Sequence, residues 1–479
     1  MHISSVIHVL GLLLMFLAGS MLLPIPFSLY YGDSDSIALL QGAGLTFLSG
    51  IILFFVTKFR ELRTKDGFAI VTLGWIAFAL FGSLPFMFSG HIPSFTNAFF
   101  ETMSGFTTTG ATILTDIESL PHGLLFWRSF THWIGGMGII VLSLAILPFL
   151  GVGGMQLFKA EVPGPTADRL TPRITETAKI LWGVYVLISV VETVLLMFGG
   201  MNLFNALCHT FGTMATGGFS TKSGSIGAFN SAYIDYVIIF FMILAGTNFT
   251  LHYRFLKGDF KAYFKSTEFL VFLSIIGFAF LFVGLDTFRH HYTAFPKAVQ
   301  ETLFQVVSIV TTTGYGTADY EKWAFSSQIM LFFLMFVGGC AGSTGGSIKV
   351  IRIFVLFKFI YSELIRLIHP HAVVPVRVGK TVIPREALTN ILGLFIMFII
   401  IFVVGVLIMS TLGLTMDTSL GAVAACLGNI GPGLGNVGPT DHYAHIPAIG
   451  KWILSSFMLM GRLEVFTVII LFSPSFWKK

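Results

Sequence analysis

The stretch Thr311-Thr312-Thr313-Gly314-Tyr315-Gly316 lies between an apolar run rich in β-branched residues (303–310) and a polar segment holding Asp319 and Glu321. A short helix ending near a water boundary produces such a pattern. A desolvated monovalent cation needs rings of oxygen at close range. A β-branched, glycine-rich loop supplies them by turning successive carbonyls inward, glycine taking the φ > 0 conformations that other residues avoid. The same letters also describe an ordinary turn between apolar runs. One loop cannot close a ring, so the cation reading requires several, from four subunits or from four repeats in one chain.

The surrounding composition favours a membrane setting. Hydrophobic residues make up 55% of the chain and charged residues 11%, against about 25% charged in soluble proteins. Many apolar runs reach the roughly 20 residues needed to cross a bilayer. The net charge of +5 says little about nucleic acid, because the basic residues gather on one side of the expected membrane. Cys208, Cys340 and Cys426 fall in apolar or pore-like segments and read as free buried thiols. The run over residues 6–23 lacks a basic leader and a small-residue cleavage site, so it reads as a retained first span.

The expected spans begin at residues 3–23 and 37–57. The connection between them carries Asp33 and Asp35, whereas the next carries Lys58, Arg60, Arg63 and Lys65, which places that second connection in the cytoplasm. Residues 68–88 re-enter, and a short amphipathic segment (94–106) ends in Thr107-Thr108-Thr109-Gly110-Ala111-Thr112, a second copy of the opening motif. An apolar run over 124–150 returns to Lys159, Arg169, Arg173 and Lys179. Two further copies emerge on alignment. One has a span at 180–198, a short helix at 202–214, the loop Ala215-Thr216-Gly217-Gly218-Phe219-Ser220 and a return over 233–251 to Arg254, Lys257, Lys261 and Lys265. The unit holding the opening motif starts at 269–283; the last starts at 387–412, and its short helix at 418–427, with Asp417 as expected N-cap, leads into Gly428-Asn429-Ile430-Gly431-Pro432-Gly433.

Gly110, Gly217, Gly314 and Gly431 therefore recur about every 100 residues, the mark of internal repetition. The basic connections, with Lys478 and Lys479, fall on one side and the four loops on the other. The expected fold is an all-α polytopic membrane protein with ten spans: two leading spans (1–66) and four helix–pore-loop–helix repeats at 67–177, 178–266, 267–385 and 386–479.

These loops, in order, resemble those of the Trk/Ktr/HKT superfamily of potassium transporters, and most closely its bacterial Trk potassium-uptake membrane subunits. Residues 338–347 resemble the family's gating segment and 460–467 its last inner helix, and the likeness covers essentially the whole chain. The resemblance implies a pseudo-fourfold pore in each subunit, a homodimer, a cytosolic regulatory ring that binds nucleotides, and residence in the bacterial cytoplasmic (inner) membrane with the loops outside and the C-terminus inside. It carries the filter glycines onto Gly110, Gly217, Gly314 and Gly431. Serine stands first in sodium-selective relatives, so Gly110 favours potassium. Carbonyls of Thr108-Thr109, Ala215-Thr216, Thr312-Thr313 and Asn429-Ile430 are expected to form two rings of four, with potassium the only metal held and no cofactor in the chain. The fourth loop departs most from the threonine-rich pattern. Helix C-termini aimed at a common cavity add partial negative charge.

The segment holding Gly338, Gly339, Gly342, Ser343, Thr344, Gly345, Gly346 and Ser347 interrupts an apolar run over 325–360. Exposed to lipid, its backbone would cost several kcal/mol, so it is expected to line a cavity, as a helix-packing kink or as a loop beneath the filter that opens and blocks the pore. Arg462 stands about a dozen residues into the last span, where a charge costs at least about 2.5 kcal/mol. Glu464, two residues on, points to another helix face. Arg462 is expected beside the permeation path, limiting ion occupancy, or holding carbonyls of the interrupted segment. Gly379-Lys380-Thr381 echoes a nucleotide-binding loop but lacks its earlier glycine, so a cytoplasmic hairpin over 374–383 is expected. Asp441, His442 and His445 have metal-like spacing in an outer loop but read as solvated surface. No grouping of nucleophile, base and oxyanion donor marks an enzyme. Gated potassium uptake leads; the pore subunit of an ATP-driven pump and a sodium- or proton-coupled symporter are the alternatives.

Overall fold

Lipid offers no hydrogen-bonding partner, so a crossing segment folds as a helix whose backbone bonds are internal. The computed structural model describes residues 2–138, 174–379 and 381–477 and is helical almost throughout. Among the described residues, six stretches are long and apolar enough to cross a membrane: Ile3–Tyr31, Ser36–Val56, Lys65–Phe88, Glu176–Phe198, Thr267–His290 and Ala387–Thr411. They present bulky apolar side chains such as Phe278, Ile396 and Leu407 outward, as contact with acyl chains requires.

Among the described residues, not every expected span is a single straight helix. The return of the second repeat bends by 101° between Ala232–Ala245 and Phe249–Leu256, and that of the fourth by 113° between Ala448–Arg462 and Phe466–Phe472. The first bend falls at Gly246-Thr247-Asn248, where the Asn248 side chain caps the new helix at Thr250 N (2.8 Å). Glu464 and Val465, both at positive φ (57° and 58°), make the second. The return of the third repeat is interrupted, with helix Phe325–Leu334, an irregular stretch over 335–349, and helix Val350–Ile368. In the first repeat, helix His122–Trp133 continues as a π-turn to Gly138. The rest of its expected apolar run, with Lys159, Arg169 and Arg173, lies outside the described residues, as do Lys380, Lys478 and Lys479.

Four shorter helices fill the centre: Phe95–Phe106, Leu203–Met214, Phe295–Val310 and Met416–Leu427. Each packs between the long helix before it and the segment after it. Three also pack across a repeat boundary: Leu203–Met214 against His122–Trp133, Phe295–Val310 against Ala232–Ala245, and Phe95–Phe106 against Ala448–Arg462. The N-cap of the fourth is Thr415, whose side chain accepts from Thr418 N (3.4 Å); Asp417 lies in the first turn. Arg377–Val378 and Thr381–Val382 pair antiparallel, giving the expected hairpin. Cys208, Cys340 and Cys426 are free and buried.

Candidate functional site

Each short helix ends in the same way. A C-cap residue (Thr107, Ala215, Thr311, Gly428) is followed by a residue in the left-handed region: Thr108 (φ 51°), Thr216 (55°), Thr312 (60°) and Asn429 (54°). The amide of this residue bonds back to Gly105 O, Thr213 O, Ile309 O or Cys426 O, and the next amide reaches one residue further back, to Ser104 O, Gly212 O, Ser308 O or Ala425 O. This double closure is the Schellman arrangement that glycine usually serves. Here threonine or asparagine accepts the strain in every loop, which is the mark of a backbone held for a purpose. Paired hydroxyls brace two loops, Thr107 with Thr109 and Thr311 with Thr313, each at 2.8 Å. In the fourth loop, Asn429 donates to Thr109 Oγ1 (3.0 Å) and Met458 O (2.8 Å). Its backbone thus repeats the threonine loops although its side chains do not.

Two residues beyond each strained position stands a glycine at positive φ: Gly110 (84°), Gly218 (76°), Gly314 (76°) and Gly431 (96°). The second loop thereby differs in register from the sequence alignment. Gly218, not Gly217, is the conformational equivalent of the other three, and Thr216-Gly217, not Ala215-Thr216, corresponds to Thr108-Thr109. A methyl group added at these glycines would lie within 3.0 Å of a carbonyl oxygen of the next loop. Gly110 would meet Gly217 O, Gly218 would meet Thr313 O, Gly314 would meet Ile430 O, and Gly431 would meet Thr109 O (2.6 Å). The four contacts form a closed cycle, each loop seated on its successor. Above them opens a cavity of about 100 Å³ lined by Gly110, Gly218, Gly314 and Gly431 together with Asp441, His442 and Tyr443.

Beneath the loops runs the 335–349 stretch. Gly346 N donates to Thr312 Oγ1 (2.7 Å), and Thr344 Oγ1 donates to Met214 O (3.0 Å) and Ala245 O (3.1 Å). Cys340 N bonds Gly246 O (2.8 Å), and Phe249 N bonds Gly342 O (3.0 Å), so the bend of the second repeat and this stretch hold each other. Lys349 Nζ donates to Gly345 O. Arg462 donates to Thr344 O (2.6 Å), Gly135 O (2.6 Å) and Gly136 O (2.8 Å), which joins the interrupted stretch to the first repeat. Glu464 pairs with Arg352.

Several participants escaped the sequence reading. Glu101 and Arg128 form a buried ion pair (2.7 Å) behind the first loop. Tyr443 donates to Gly431 O (2.7 Å), and Tyr320 to Gly433 O (2.7 Å). Charged residues inside apolar segments are a usable signal, and Glu101 and Arg128 carry it. In the segment that follows the third loop, burial pushes the Glu321 carboxyl up, and the Gly435 amide bound to it (2.6 Å) opposes that rise. Among the described residues, no group of three or more His, Cys, Asp and Glu side chains is placed to hold a metal ion, Asp441, His442 and His445 included.

Membrane-length helices around four short helix–loop units define a polytopic membrane protein. Over residues 39–479 the chain matches the TrkH family, described as cation transport protein, and it belongs to that family. It is 42% identical over 489 residues to the Trk system potassium uptake protein TrkH of Escherichia coli, with both chains fully covered. It is 35% identical to TrkG of the same organism, across all of this chain and 99% of the other. The crystal structure of the potassium transporter TrkH from Vibrio parahaemolyticus superposes with a TM-score of 0.90 at 40% identity, covering 100% of each chain. The family is one of transporters rather than enzymes, in line with the sequence.

Proposed function

We propose that the chain is a potassium-uptake protein whose four loops form the ion filter. The carrying observation is the closed cycle of glycine-to-carbonyl contacts, which brings four chemically different loops into one backbone geometry. The filter then comprises Thr108-Thr109-Gly110, Thr216-Gly217-Gly218, Thr312-Thr313-Gly314 and Asn429-Ile430-Gly431. Carbonyl rings facing four helix C-termini favour a monovalent cation without trapping it. Potassium transport by the relatives that the chain matches along its whole length supports the choice of ion.

The 335–349 stretch is the gate in this reading, supported by its position under Thr312 and by the irregular backbone that a lipid-facing segment could not maintain. Arg462 is its latch. A membrane potential of 100 mV, inside negative, supplies about 2.3 kcal/mol per charge and supports roughly 50-fold accumulation without a coupling ion. The remaining parts follow the family resemblance: a homodimer in the inner membrane, loops outward, with a nucleotide-binding ring on the cytosolic face. Reversal potentials in proteoliposomes, with potassium, sodium and proton gradients varied separately, test the function. Potassium flux without an ATPase partner is expected and excludes the pump alternative. A reversal potential that follows the sodium or proton gradient at fixed potassium would replace the uncoupled pore with a symporter.

A further inference from the structure

Just outside the ring, each junction between neighbouring repeats is closed by a polar tie. Tyr315 of the third repeat donates to His209 O (3.0 Å) and Phe219 O (3.3 Å) of the second. Tyr320 of the third donates to Gly433 O of the fourth (2.7 Å), and Tyr443 N of the fourth bonds Thr112 O of the first (2.7 Å). Tyrosine hydroxyls thus serve two junctions, and a backbone amide the third. At the fourth, between repeats one and two, the tie is Arg128, whose Nη1 donates to Ser220 O (2.9 Å) and whose guanidinium lies 3.5 Å from the centre of the Phe219 ring.

An arginine can stand there only with its charge answered, because the pair is buried: side-chain exposure is 2% for Arg128 and 0% for Glu101. Glu101 answers it from the short helix of repeat one. Its Oε1 accepts from Arg128 Nε (2.7 Å) and Thr112 Oγ1 (2.9 Å), and its Oε2 accepts from Ile113 N (2.8 Å). One carboxylate therefore fixes the exit of loop one, and through Arg128 the exit of loop two, each within three residues of its glycine. The corresponding positions of the next two short helices do the same for their own loops only: His209 bonds Ser220 Oγ (3.0 Å), and Gln305 bonds Ala318 O (3.1 Å). We propose that Glu101 and Arg128 are positioning residues for ion discrimination, holding loops one and two at the spacing that the glycine cycle requires. This rests on the filter reading above.

The pair also lines up two separable effects. Removing Glu101 alone loosens loop one and leaves a bare positive charge beside the outer cavity, which Arg128 lines. Replacing both residues removes the charges together and leaves only the loss of position. The test is the potassium-to-sodium permeability ratio of the full-length protein in proteoliposomes for Glu101→Gln, Arg128→Lys and the double variant Glu101→Gln/Arg128→Met, with Gly314→Ser as reference. Arg128→Lys keeps the charge and loses the planar fork and the stacking face. The ratio is expected to fall about tenfold in Glu101→Gln and in the double variant, on the scale of a lost charge-assisted hydrogen bond, and less in Arg128→Lys. Potassium uptake at low concentration is expected to be weaker in Glu101→Gln than in the double variant. If Gly314→Ser lowers the ratio while every assembled pair variant keeps the wild-type value, the positioning role is overturned and the filter stands. If Gly314→Ser also leaves it unchanged, both fall. Failure of all three pair variants to assemble would assign the pair to the fold and overturn the proposal as well.

Discussion

Arg462 offers a test in which contact and charge predict different numbers. Its guanidinium spans three carbonyls: Thr344 O on the interrupted stretch, and Gly135 O and Gly136 O on the first repeat. A hydrogen bond from a charged donor contributes about 1.5–3 kcal/mol, so losing the Thr344 contact alone shifts a closed-to-open equilibrium about 10- to 150-fold. Arg462→Ala removes every contact and is expected to raise open probability by that order. Arg462→Lys retains the charge, yet a single ammonium lacks the fork that reaches both partners, so it is expected to behave more like alanine than like wild type. A pure charge effect runs otherwise. At about 8 Å and an effective dielectric of about 20, a fixed charge opposes a passing cation by about 2 kcal/mol, which acts on unitary current. Single-channel recording separates the two quantities. If Arg462→Ala raises unitary current while Arg462→Lys matches wild type in both measures, the latch is refuted; no change in either variant would make the contacts merely structural.

The register of the second loop is tested by Gly218→Ser against Gly217→Ser in permeability measurements. Position 218 combines positive φ with a backbone carbonyl as obstacle, whereas a side chain at 217 meets the His132 ring, so the larger loss of discrimination is expected at 218; equal effects would refute the register. Deleting residues 342–347 is expected to raise rubidium flux in liposomes independently of any cytosolic partner, and wild-type flux in a folded deletion variant would count against a gate. Glu321→Gln keeps the acceptor for Gly435 and removes the charge. Because burial raises the folded carboxyl's pKa, Glu321 favours the folded state below the ordinary carboxyl range and loses that contribution as pH rises. The wild type is therefore expected to lose thermal stability relative to Glu321→Gln as pH rises above the ordinary carboxyl range, from about pH 4 upward, and a pH-independent difference would refute the assignment.

Much of the architecture was legible because lipid makes hydropathy and helix nearly synonymous. The short helices ending at Phe106, Met214, Val310 and Leu427 end where their threonine- and glycine-rich loops begin. The double glycine at 217–218 misled alignment by one residue, since spacing alone cannot tell which glycine takes positive φ. Thr415 displaced Asp417 as N-cap for a similar reason: both residue types cap well, and the choice depends on where the backbone turns. The bends at 246–248 and 464–465 were invisible because hydropathy sums over residues and has no direction. The ties from Arg128 to Ser220 and from Tyr443 to Thr112 join residues distant in the chain, and a single sequence shows no sign of such pairs.

The cyclic seating of the glycines has a consequence for how substitutions combine. Since Gly110 rests on loop two, Gly218 on loop three, Gly314 on loop four and Gly431 on loop one, a side chain introduced at one position displaces the carbonyl that its neighbour presents. Adjacent pairs, such as Gly110 with Gly218 or Gly431 with Gly110, should therefore show coupling energies of about 0.5–3 kcal/mol, whereas diagonal pairs, Gly110 with Gly314 and Gly218 with Gly431, should add to within about 0.5 kcal/mol. Coupling that runs around the cycle and not across it leaves the four loops free to diverge in side chains but not in order.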